Sequence, residues 1–190
     1  MTLPSKAVPK LAILASSEGE LEEVVSFLAQ SHGQQPIERS KFGGAEVFRT
    51  RLQFPSGEGG ESTEVNIFGS SVIADYREVF QFLFKQAAGV LCLLPVGRDR
   101  VEEARQVLAL LQTQLLMRRS SEQTPPFVLQ YHWTPVDQGV SPEEVDKALG
   151  VNIRVVTRAF SGSNHSSQQD GINALLKLIG QKEEELVKNS

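Results

Sequence analysis

Short apolar runs and amphipathic stretches take turns along this chain. Leu11 to Ala15 is continuously apolar, which predicts a strand covered on both faces. Leu21, Val24, Val25 and Leu28 then recur at helical spacing, so Glu18 to Gln30 reads as an amphipathic helix. A polar stretch with Pro36, Gly43 and Gly44 follows. Phe48, Thr50, Leu52 and Phe54 alternate with Arg49, Arg51 and Gln53, the pattern of a half-exposed edge strand. Pro55 to Gly60 reads as a turn, and Val65, Ile67 and Phe68 as the returning strand of an antiparallel hairpin.

Tyr76, Val79, Phe80, Leu83, Phe84 and Ala87 share a helical face, followed by a buried strand at Val90 to Leu94 stopped by Pro95. Val101, Ala104, Leu108, Leu111 and Leu115 stripe a long helix ending near Arg119. Phe127 to Tyr131 predicts a third central strand. Ser141-Pro142-Glu143-Glu144 is a helix start, with Ser at the N-cap, Pro at N1 and Glu at N3, and Gly150 ends that helix. Ile153, Val155 and Val156 predict a last strand. Ile172, Leu175, Leu176 and Ile179 carry a final helix that continues into a charged end.

Strands alternating with helices imply crossover units and a mainly parallel sheet. The expected fold is α/β: three layers, a mainly parallel six-stranded sheet with one antiparallel edge strand, and helices on both faces. Residues 1–9 read as a flexible leader, 10–180 as a single domain, and 181–190 as a charged helix end.

Composition narrows the function classes. Of the 190 residues, 40% are hydrophobic, and the net charge at pH 7 is −4. Nucleic-acid binding, which draws on clustered excess Lys and Arg, is not expected. The single cysteine, Cys92, excludes an intrachain disulfide and a Cys-rich zinc site, so a reducing cytoplasm is the expected setting. The longest apolar stretch, Ala87 to Val96, is about half the length of a membrane-spanning helix.

The element order, hairpin included, is that of Ras-like small GTPases. Pro126 to Tyr131 followed by Ser141 to Leu149 resembles the bacterial MglA-type GTPases of gliding motility and cell polarity. So do Asp75-Tyr76-Arg77 and Phe82 to Val90, which match that family's second switch helix and following strand. The resemblance implies a small-GTPase-like fold, a role in bacterial motility or polarity, and a protein partner such as a roadblock-type regulator. It maps the partner-binding hairpin and switch surfaces onto Phe48, Leu52, Phe54, Phe68, Val72 and Tyr76.

The positions that carry chemistry depart from that pattern. Holding a nucleotide triphosphate takes G-x-x-x-x-G-K-[ST] after the first strand, with lysine on phosphate and a hydroxyl on magnesium. Here the lysine slot is Glu20, beside Glu18, Glu22 and Glu23, and the hydroxyl slot is Leu21; only Gly19 fits. Carboxylates in that place oppose phosphate and complement the helix macrodipole. The D-x-x-G slot reads Gly69 to Ile73, the N-K-x-D slot His132-Trp133-Thr134-Pro135, and the S-A-[KL] slot Arg158-Ala159-Phe160. The expectation is a pseudo-GTPase without catalytic residues, cofactor, metal or bound nucleotide, acting as a protein-interaction or scaffold module. The alternative is a divergent nucleotide-binding GTPase with non-standard motifs.

Other constellations are weaker. His132 stands where open α/β sheets place ligands, which allows a small-ligand sensor over His132 and Trp133 or simply a histidine at the rim. His32, His132 and His165 share no metal-ligand spacing. Cys92 among leucines reads as core. No G-x-S-x-G elbow or receiver-type carboxylate pair occurs. Phe82 points away from the stripe of its own helix, either a chance exposure or part of a partner patch.

Overall fold

The computed structural model describes residues 8–32, 36–42, 45–56, 61–71, 77–97, 99–118, 125–133, 141–151, 157–161 and 169–188. Its strands are β1 (Lys10–Ala15), β2 (Glu38–Phe42), β3 (Ala45–Ser56), β4 (Glu61–Ser71), β5 (Gly89–Val96), β6 (Phe127–Trp133) and β7 (Thr157–Ser161). Its helices are α1 (Glu18–His32), α2 (Arg77–Phe84), α3 (Val101–Arg118), α4 (Pro142–Leu149) and α5 (Asp170–Lys188).

Apolar continuity puts β1 and β5 at the centre. Leu11 to Ala15 and Val90 to Leu94 are all buried, because each strand has a helix layer on both sides. The seven strands form one sheet in the order β2-β3-β4-β1-β5-β6-β7. β4, β1, β5, β6 and β7 run parallel; β3 is antiparallel to both its neighbours. One core lies beneath α1 and α5 and holds Leu11, Ile13, Leu28, Phe48, Leu52, Leu91 and Leu175. The other lies beneath α2, α3 and α4 and holds Leu14, Phe80, Phe84, Cys92, Leu94, Leu108 and Tyr131. Each such fully buried side chain contributes about 1.5–3 kcal/mol relative to exposure.

The capping expected for α4 is present in full. Ser141 Oγ accepts from Glu144 N, Glu144 Oε2 accepts from Ser141 N, and Gly150 adopts φ 66°, a left-handed conformation that costs glycine least. Asp146 of the same helix is buried and accepts a 2.5 Å hydrogen bond from Tyr131 Oη, which ties α4 to β6.

Five expectations change, the first being that β5 runs through Pro95, paired with His132, where a stop is expected. Among the described residues the sheet has seven strands rather than six, because Glu38–Phe42 pairs with β3 in spite of its polar sequence. The antiparallel strand β3 is therefore one place in from the edge. β3 also runs through Pro55 and Ser56, where a turn is expected; proline's fixed φ is compatible with extended backbone. Finally, Arg158-Ala159-Phe160 lies inside β7, paired with Leu129, Gln130 and Tyr131, and not in a loop beyond the last strand. Ile153, Val155 and Val156 lie outside the described residues, as do residues 1–7 of the expected leader. Among the described residues no helix is long and apolar enough to cross a membrane.

Candidate functional site

The turn between β1 and α1 is the place where a parallel α/β sheet presents ligand-binding backbone. Ser17 caps the helix, its Oγ accepting from Glu20 N at 3.3 Å and its carbonyl from Leu21 N at 3.3 Å. Ser17-Glu18-Gly19-Glu20 thus starts as a capping-box sequence, Ser-x-x-Glu. In that motif the glutamate usually turns back to the cap; here Glu20 turns inward instead. Only 8% of Glu20 remains exposed, and its Oε1 lies 2.8 Å from Arg100 Nη2 while its Oε2 accepts 2.6 Å from Ser16 Oγ.

Arg100 comes from the turn leading into α3. β5 pairs directly with β1, so the turns that follow the two strands meet at the same sheet edge. Arg100 Nε and Nη2 also donate to Glu103 Oε2 at 3.1 and 2.9 Å, and Nη2 lies 3.4 Å from Ser16 Oγ. Burial alone would lower the Arg100 pKa, but the Glu103 hydrogen bond and the charges of Glu20 and Glu103 outweigh it and hold the guanidinium above its ordinary range. The carboxylate in the lysine slot is therefore neutralised from eighty positions along the chain. Reading only the neighbouring sequence overlooks this cation. Parallel pairing of β1 with β5 is the signal that points to it.

The adjoining slots are filled as well. Leu21, where magnesium ligation needs a hydroxyl, is wholly buried over β4, and a Cβ on Gly69 would stand 2.7 Å from its Cδ1. Gly69 is thus a packing glycine, and Ser70 Oγ beside it donates to the Glu46 carbonyl at 3.0 Å. At the end of β6, His132 is buried with Nε2 3.9 Å from Glu23 Oε2. The remainder of that candidate ligand patch, the side chain of Trp133 with Thr134 and Pro135, lies outside the described residues. Burial pushes the Cys92 thiol up, which keeps it protonated and unreactive as nucleophile. Among the described residues no three His, Cys, Asp or Glu side chains group as a metal site.

The residues expected to bind a partner divide between two faces. Phe48, Leu52 and Phe54 are buried under α1, with no more than 2% of each exposed, so these three offer no surface and that assignment is corrected. β3 alternates as expected, but its apolar half faces a helix. Phe68 points to the opposite face. Val72 and Tyr76 lie outside the described residues.

On the face where Phe68 lies, a groove of about 600 Å³ opens between β2, β3, β4 and α2. Phe82 forms its wall, stacked on Phe42 at 4.9 Å and meeting the edge of Phe68 at 5.7 Å. Lys10 Nζ sits 4.6 Å from the Phe82 ring centre and 4.9 Å from that of Phe68, and donates to the Phe82 and Lys85 carbonyls at 2.6 and 3.1 Å. Phe42 is 41% exposed, the one large apolar side chain so exposed among the described residues. A second cleft of about 190 Å³ between α3 and α4 is lined by Val101, Ala104, Val145, Ala148 and Leu149, with Glu144 at its margin.

A scan against models of known protein families finds no match, and a search of curated proteins finds none either.

Proposed function

We propose that this chain is a pseudo-GTPase: a Ras-like fold, similar to MglA-type proteins, that does not hold nucleotide and works by recognising another protein. The observation that carries the reading is the occupied turn after β1. A phosphate docking there would have to displace the Glu20 carboxylate from Arg100 and Ser16 Oγ, and Leu21 supplies no hydroxyl for magnesium. The sheet order supports the fold half of the reading, since the β3–β4 hairpin sits beside β1 in an otherwise parallel array. The groove at Phe42, Phe68 and Phe82 supports the recognition half, because aromatic side chains set in a concave surface with a charged rim are the usual anchors of protein contacts. A role in bacterial motility or polarity beside a roadblock-type regulator follows from the sequence resemblance alone.

The rival is a divergent GTPase, and Arg100 gives it a footing, because its guanidinium could meet phosphate if Glu20 swung aside. Thermal melting of the full chain with GTP or GDP and magnesium separates the two. A ligand that binds only the folded state must raise the melting temperature, so the pseudo-GTPase gives no shift. A shift abolished by EDTA establishes the rival, as does guanine nucleotide released from boiled protein on anion exchange.

A further inference from the structure

β2 is an edge strand. Among the described residues nothing pairs with its outer side, and all five of its residues are exposed. Such a strand presents alternate backbone N–H and C=O groups to any chain that can match it. Its faces are distinct. All five β2 residues border the groove, and Phe42 stacks on Phe82 while Ser40 pairs with Val47, so the side chains of Glu38, Ser40 and Phe42 take the groove side. Arg39 stands over Phe48 and pairs with Glu22 of α1, so Arg39 and Lys41 lie on the α1 side.

Self-pairing is disfavoured by this arrangement. A two-fold axis makes the two copies of β2 antiparallel and keeps their faces aligned, so residue numbers of opposed partners must sum to an even value. Centring on Arg39 opposes Arg39 to itself, centring on Ser40 opposes Arg39 to Lys41, and centring on Lys41 opposes Lys41 to itself. Each register that pairs at least three residues sets cation against cation, which destabilises a cross-strand pair. Arg39, paired with Glu22, stays half exposed, and Lys41 is exposed. Two exposed cations at alternate positions of a free edge favour carboxylates on an incoming strand.

We propose that β2 accepts an extended segment of another protein as an eighth strand, one that alternates acidic and apolar residues. Its carboxylates face Arg39 and Lys41. The apolar side chain between them lies opposite Ser40 and enters the groove beside Phe42, Phe68 and Phe82. The inference rests on the recognition half of the proposed function and is independent of whether nucleotide binds.

The test uses the full chain and two blocked seven-residue peptides, glutamate alternating with leucine and lysine alternating with leucine. Fluorescence anisotropy reads affinity and amide hydrogen exchange reads the site. The glutamate peptide is expected to bind about tenfold more tightly than the lysine peptide and to slow exchange at residues 38–42. Lys41→Glu reverses the preference, and Phe42→Ser weakens the glutamate peptide about tenfold, with the melting temperature of each variant confirming that it folds. Equal binding of the two peptides, or exchange at β2 unaltered by either, overturns the proposal. So does self-association in sedimentation with β2 protected, which makes a second copy the occupant. Failure here with no nucleotide-induced shift in melting removes only the acidic strand; a nucleotide-induced shift removes only the pseudo-GTPase.

Discussion

Glu20 and Arg100 form a pair in which one member is nearly buried and the other is mostly so, and the cost of breaking it falls on whichever charge is left behind. Glu20→Gln and Arg100→Met are each expected to lower stability by about 1–3 kcal/mol, read by urea denaturation. The double variant should lose less than the sum of the two, since the charges stabilise one another. Cys92 behaves differently. Burial raises its thiol pKa above the ordinary 9.0, so the folded state keeps a proton that the unfolded chain gives up. Its contribution to stability is therefore intact below about pH 9 and declines above it, as the unfolded thiol ionises. A thiol reagent at neutral pH should label Cys92 only at the rate at which the chain opens; labelling at the rate of an exposed cysteine contradicts its buried position. Gly69→Ala forces a methyl against Leu21 and should cost about 1–3 kcal/mol by the same denaturation assay.

Among the elements, α2 shows how a short helix is anchored. Lys10 closes its C-terminal end by donating to the Phe82 and Lys85 carbonyls, where the helix dipole is negative, and its ammonium lies over two rings. Lys10→Met keeps the length and removes the charge. The expected loss is about 1–2 kcal/mol, with amide exchange accelerated first in residues 77–84. The strands and helices that bury an apolar stripe were readable in order because periods of 2 and 3.6 survive in the sequence: Leu11 to Ala15, Val101 to Leu111, and the Ser141 cap. β2 was not readable, since Glu38-Arg39-Ser40-Lys41 buries nothing and the strand exists through its ladder to β3. The expected partner surface at Phe48, Leu52 and Phe54 is buried for a related reason. Alternation identifies the apolar face of a strand but cannot say whether a helix or a partner covers it. The Arg100 contact needed the pairing of β1 with β5, which is a property of the sheet and not of either segment.

At the scale of the whole molecule, the Ser16, Glu20, Arg100 and Glu103 network couples the first helix to the third across the carboxyl end of the sheet. Two segments far apart in sequence thereby share one local stability, and exchange of α1 amides should accelerate in Arg100→Met as well as in Glu20→Gln. A result confined to α3 would show that the network holds only one side.

The first strand among the described residues is also the middle strand of the sheet. β1 lies between β4 and β5, with Leu11 to Leu14 hydrogen-bonded on both flanks. While the polypeptide is being synthesised, Leu11 to Ala15 must wait for more than seventy further residues before its second flank is covered. A nascent chain halted after β4 exposes that bare apolar ribbon, the kind of segment that chaperones capture and that aggregates otherwise. The growing protein is thus most vulnerable just before β5 emerges from the ribosome.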